Sequence, residues 1–235
     1  MAPQNTLVAS NLAEIRERIA RSAARAGRAT EDITLVAVSK TFPSEAIRSA
    51  YELGLRHFGE NRVQEWESKQ AALADLAATW HLIGHLQSNK ARRAANLFDS
   101  VDSVDSVALA QKLDAAAASE AKRLKVLIEV HLGGEETKSG VPEADLPQLA
   151  ESIARLPHLE LLGLMTIPPY FDDTERVRPY FQRLRALRDQ VGAQIKVPLS
   201  VLSMGMSHDF EIAIEEGATE VRVGTALFGE RTKKA

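Results

Sequence analysis

Apolar positions in this chain recur in two rhythms. Leu12, Ile15, Ile19 and Ala23 return every three or four residues among Arg16, Arg18, Arg21 and Arg25, the stripe of an amphipathic helix. Asn11 and Glu14 are spaced as a capping pair and Gly27 as a stop, which predicts a leading helix within residues 1–30. The rhythm then changes. Residues 33–40, ITLVAVSK, are apolar at both parities and read as a strand buried on both faces. Pro43 opens a helix that Gly54 can close. From there a short strand, a polar turn and a helix repeat, with strands expected at 57–61, 80–87, 97–103, 126–132, 161–167, 199–204 and 220–224.

Eight strands alternating with helices predict one closed (β/α)8 TIM-type barrel carrying an extra N-terminal helix, because right-handed crossovers place each helix outside the next strand. An open doubly wound sheet would carry a glycine-rich turn after the first strand, and here that turn is KTFP. No Pro/Gly/Ser-rich linker divides the 235 residues, so a single domain is expected over 1–235, with the barrel at 33–231.

Composition narrows the partners. A formal net charge of -3 leaves no footprint for nucleic acid or an anionic membrane, and small-molecule ligands are expected instead. There is no cysteine, which removes disulfide and thiolate chemistry. No apolar run reaches membrane-spanning length and no leader pattern opens the chain, so a cytoplasmic protein is the expectation.

Barrel chemistry sits where strands end. The first strand ends at Lys40, whose amine either snorkels to a solvated rim or, desolvated and neutral, attacks an aldehyde. After the seventh strand come Ser203, Met204, Gly205, Met206 and Ser207, and after the eighth Gly224 and Thr225. Small residues, hydroxyls and backbone N–H groups on those two loops are the usual phosphate site of such barrels, the alternative being two ordinary capped turns. In EVRVG the valines alternate with Arg222, which turns the guanidinium into the barrel. It then needs an acceptor: an inward carboxylate such as Glu129 or Asp99, or a ligand atom. Asn61, His85, Met165 and Thr166 also fall at strand ends, as ligand contacts or as satisfied core and turn residues. His81 and His85 have the spacing of zinc helices, but along a strand they stand about 13 Å apart, so no metal site is expected. Residues Glu135, Glu136, Thr137 and Lys138 read as a solvated loop, with Lys138 able to reach a second anion.

Seven motifs in order, AVSKTFP, HFGENRVQE, WHLIGHLQSNK, ETKSG, GLMTIPP, LSMGMSHDFEIAI and VRVGTALFG, resemble the pyridoxal phosphate homeostasis proteins, also called proline synthetase co-transcribed homologues. The resemblance runs from about residue 33 to 231 and implies a barrel like the N-terminal domain of alanine racemase, with pyridoxal 5′-phosphate held as an internal aldimine. Position by position it implies Lys40 as the Schiff-base lysine, Ser203, Gly205, Ser207, Gly224 and Thr225 around the phosphate, and Arg222 at the pyridine nitrogen. Asn61, His85 and Met165 would line the ring or its mouth. Many members read Lys-Thr-Lys after the first strand; here Phe42 takes the place of the second lysine, and Lys138 is the remaining candidate for a secondary one.

The expected function is buffering, carriage or delivery of the cofactor, with apoenzymes that depend on it as candidate recipients. Alanine racemases use a tyrosine from a second domain as an opposing base. Only about ten residues follow the eighth strand, and none of Tyr51, Tyr170 and Tyr180 lies at a strand end. An arginine at the ring nitrogen also leaves it unprotonated and weakens the ring as an electron sink. A non-catalytic monomer is therefore expected. The rival readings are a pyridoxal phosphate-dependent racemase or lyase of a small amino acid, and a Schiff-base aldolase of a phosphorylated sugar.

Overall fold

The computed structural model describes residues 3–133 and 139–229. The strands are β1 (Thr34–Val38), β2 (His57–Glu60), β3 (Thr79–Leu82), β4 (Ser100–Val104), β5 (Leu124–His131), the two-residue β6 (Val141–Pro142), β7 (Leu159–Met165), β8 (Val201–Met206) and β9 (Glu220–Val223). All pair in parallel. β1 joins β2 on one side and β9 on the other, and a β4–β5 pairing closes the ring, while β6 pairs only with β5. The ring is thus the expected eight-stave barrel. β8 and β9 are its seventh and eighth staves.

The leading helix is longer than its pattern suggests. α1 spans Pro3–Arg25, so Asn11 lies inside it and caps nothing; its amide donates instead to the Leu227 carbonyl at 3.0 Å. Leu12, Ile15, Ile19 and Ala23 are buried as the spacing requires. The crossover helices are α2 (Ser44–Glu52), α3 (Val63–Gln70), α4 (Ala91–Leu97), α5 (Val107–Ser119), α6 (Leu146–Ala154), α7 (Arg178–Ile195), α8 (Phe210–Glu215) and α9 (Thr225–Phe228). β3 stops at Leu82, before the predicted 87, which leaves His85 on a loop rather than on a strand. β4 begins three residues later than the pattern indicates, because Leu97 closes α4.

Two cores result from strand alternation. Outward residues such as Ala37, Phe58, Trp80, Val101, Leu202 and Val221 pack against the helices in one continuous apolar layer. The inward parity differs: beside Val36 and Met165 it places His81, Ser100, Asp102, Ser203, Glu220 and Arg222, all buried. Barrel interiors are normally filled by layers of branched aliphatic side chains. A polar interior is stable only if its members satisfy one another.

Candidate functional site

The polar interior is closed by its own hydrogen bonds. His81 Nδ1 lies 3.0 Å from Asp102 Oδ2 and His81 Nε2 lies 3.0 Å from His57 Nδ1, while the Ser100 hydroxyl donates to the other oxygen of Asp102. On the opposite wall Ser203 Oγ donates to Glu220 Oε1 at 2.6 Å and accepts from Arg222 Nη1 at 2.7 Å. Arg222 Nη2 donates to the Thr166 carbonyl at 2.9 Å. Burial alone would keep His81 neutral, but the charge and hydrogen bond of Asp102, with the charge of Glu220, hold its pKa up at about 9. Burial and the His81 charge both lower His57, so His57 is the neutral acceptor of the pair. Burial raises Glu220, with Asp102 adding to the rise, and burial likewise lowers Arg222. His81, Asp102 and Glu220 could geometrically hold a cation. Their facing atoms are taken up by one another, by serines and by His57.

Above this layer a cleft of about 600 Å³ opens at the C-terminal mouth. Its wall includes Lys40, Asn61, His85, Ser207, Arg222, Gly224 and Thr225, so seven of the ten candidate residues converge on one space. The other three do not line it. Met165 is fully buried in register with Ser203, and Ser203 lies beneath Arg222 as its acceptor. Gly205 has φ 90, and a Cβ there would come within 2.5 Å of the Ala213 Cβ, so it lets β8 pack against α8. Thr166 is buried too, its hydroxyl donating to the Val130 carbonyl at 2.8 Å. Of the acceptors considered for Arg222, Asp99 is engaged elsewhere, taking the Trp80 N–H at 2.8 Å. Lys138 and its neighbours 135–137 lie outside the described residues.

The two loops behave as one unit. The Ser207 Oγ accepts the N–H groups of Gly224 and Ala226, each at 3.3 Å, which ties the turn after β8 to the start of α9. These are long bonds around one hydroxyl. Thr225 adds a second hydroxyl to the same stretch of wall. Phe42 also lines the cleft and packs on Phe228, ring centroids 4.8 Å apart, forming an aromatic wall.

Sequence reading missed what holds Lys40. Thr41 has φ 69, a left-handed conformation uncommon outside glycine, so the turn after β1 is strained. It is held from below by Lys69, buried on α3, whose ammonium donates to the Ser39 carbonyl at 3.0 Å, Glu60 at 2.9 Å and Glu65 at 2.8 Å. The Ser39 hydroxyl donates to Glu60 at 2.7 Å, and Glu65 accepts the Thr41 N–H. Burial raises the Glu60 carboxyl, with Lys69 pulling the other way. No pattern singles out Lys69, because the other polar residues of α3 are exposed or half-buried. Glu129, considered in the sequence as an acceptor for Arg222 and not as a cleft residue, is buried and lines the cleft from β5, and burial pushes its carboxyl up to about 7 against the pull of Arg222. On the cleft rim, His85 faces Asp105 at 3.3 Å.

Residues 10–232 match the model of the alanine racemase N-terminal domain. The chain is 50% identical over 220 residues to the pyridoxal phosphate homeostasis protein of Aquifex aeolicus, covering 94% of this chain and 96% of that one. It is 47% identical over 224 residues to the protein of the same name from Pseudomonas aeruginosa, covering 95% and 96% respectively. Among solved structures, that of PipY from Synechococcus elongatus with PLP bound superposes with a TM-score of 0.85 at 42% identity, covering 94% of this chain and all of that one.

Proposed function

The chain belongs to the pyridoxal phosphate homeostasis protein family, and from that premise we propose that its cleft holds pyridoxal 5′-phosphate reversibly through Lys40, to buffer the cofactor and hand it on. The observation that carries this reading is the donor set of one cleft: an amine, a buried guanidinium, and two hydroxyls beside backbone N–H groups, on three different walls. An aldehyde, a ring nitrogen and a phosphate are the matching groups, and about 600 Å³ lies within the roughly 300–1,000 Å³ of small-molecule sites. When bound, the cofactor supplies an aldehyde that condenses reversibly with an amine and a ring that absorbs visible light.

The chain's own residues supply the rest. The strained turn at Thr41 and the Lys69 cluster below it aim Lys40 into the cleft. Arg222 is fixed by Ser203 and the Thr166 carbonyl, so it presents a permanent cation to the ring nitrogen and leaves no proton there. Ser207 and Thr225, with the 224–226 backbone, receive the phosphate. Asn61 and His85 flank the opening. Met165, Ser203 and Gly205 act from behind this wall.

Residues 1–235 work as one binding unit in this reading, a cytoplasmic monomer whose recipients are apoenzymes requiring the cofactor. Among the described residues no helix is long and apolar enough to cross a membrane, and the net charge of -3 gives nucleic acid no footprint. Reduction of the loaded protein with borohydride followed by peptide mapping tests the tether. Reduced cofactor on the Lys40 peptide is expected, and its absence there refutes the reading. Incubation with a panel of L-amino acids separates carriage from racemase or lyase activity, since sustained turnover lost in Lys40→Ala would identify an enzyme.

A further inference from the structure

One polar group on the cleft wall has no role in that reading. Glu129 is only 6% exposed and lines the cleft, with the Arg222 charge acting on its carboxyl. β5 stands four staves from β1 in either direction round the ring, so Glu129 faces the Lys40 side across the mouth. Lys40, Arg222, Ser207 and Thr225 already serve an aldehyde, a ring nitrogen and a phosphate. A carboxylate in that position can accept from a donor that enters the cleft.

Resting on the cofactor reading above, we propose that Glu129 admits an incoming primary amine to the loaded cleft and takes its proton, so that the cofactor leaves by amine exchange rather than by hydrolysis alone. The substrate class is a free amine carried as its ammonium, an amino acid or the lysine of a recipient. In the exchange a carbon–nitrogen bond forms to the incoming amine and the bond to Lys40 Nζ breaks. Of the ammonium's three protons, two pass to Nζ across the shared carbon, and the third is accepted by Glu129 and returned to Nζ directly or through water. Nothing is oxidised or reduced, and Lys40 ends as an ammonium. The carboxyl is suited to this exchange because burial holds it near neutrality, where it can both take and give a proton. The charged groups acting on it are Arg222 from β9 and Asp105 after β4, with Lys40, His85 and His208 lining the same cleft.

The test follows decay of the Lys40-linked chromophore by stopped flow in the loaded protein, with glycine and ethylamine as amine probes, from pH 6 to 8.5. Unassisted loss into buffer is measured in parallel. For Glu129→Gln the amine-driven rate is expected to fall at least about tenfold and to lose its rise through pH 7, with unassisted loss within about twofold. Glu129→Asp, one methylene shorter, is expected to keep the rise in pH dependence at a reduced rate, and it carries the test alone should the glutamine variant fold poorly. An amine-driven rate and pH profile unchanged in Glu129→Gln overturns the proposal. So does faster unassisted loss with unaltered exchange, which would assign Glu129 to the bound cofactor's ring hydroxyl. If no chromophore forms on Lys40 in the unsubstituted protein, the cofactor reading itself fails. Covalent loading with exchange indifferent to Glu129 leaves that reading intact and removes only this one.

Discussion

Asp102→Asn tests the claim that the barrel interior is a charged network rather than a set of neutral polar contacts. The variant preserves shape and removes the charge that holds His81 protonated. In the folded protein His81 titrates at about 9, against 6.5 for an unperturbed histidine. A rise of about 2.5 at about 1.4 kcal/mol per pH unit is worth roughly 3 kcal/mol. Because the folded value is the higher one, this stability is fully present below pH 6.5 and is lost as pH rises through 9. Urea unfolding at intervals from pH 7 to 9 should therefore show stability falling by up to about 1.4 kcal/mol per pH unit, with the denaturant slope unchanged. Glu129 contributes a loss of the same sign, but lower, between its ordinary value of 4.5 and about 7, which is why the assay starts at pH 7. In Asp102→Asn the fall should shrink to less than about half, only the charges of Glu220 and Asp99 remaining to hold the imidazolium. A flat profile in the unsubstituted protein, or an equal slope in the variant, would refute the reasoning; a ring proton titration of His81 by NMR reads the same quantity directly.

Two other perturbations probe the support of the cleft. Lys69→Met leaves Glu60 and Glu65 without their cation and should cost about 3–5 kcal/mol in urea unfolding, with slower borohydride-trappable loading at Lys40, whereas adding Glu60→Gln should recover a large part of the stability. Gly205→Ala forces a side chain into a left-handed position against Ala213 and should cost about 2–4 kcal/mol, read as a lowered unfolding midpoint.

Much of the site is legible in the chain because barrel geometry converts strand ends into neighbours. Lys40, Arg222, Ser207, Gly224 and Thr225 can be placed together from the count of strands and from alternation in EVRV alone. The same alternation turns Glu220 inward with Arg222, and in SVDSV it turns Ser100 and Asp102 inward together. Those signals are present in the sequence, yet each is ambiguous until the partner strands are in register. His81 reads as half of a metal pair until β3 ends at Leu82 and separates it from His85. Asn11 likewise reads as a cap until the helix is seen to begin at Pro3.

By itself the sequence determined the periodicities: eight strands, the first apolar on both faces, a helix after each, and a lysine, an arginine and two hydroxyl-bearing turns at strand ends. These are local properties, carried by spacing along one segment. Only the tertiary structure decided which polar residues meet, because the partners lie in different staves: Asp102 with His81 across 21 residues, Ser203 with Glu220 across 17, Lys69 with the Ser39 carbonyl across 30. Desolvation is likewise a property of the closed ring. It raises Glu129 towards neutrality on the cleft wall, whereas at His81 it works against the cation that Asp102, from another stave, holds in place.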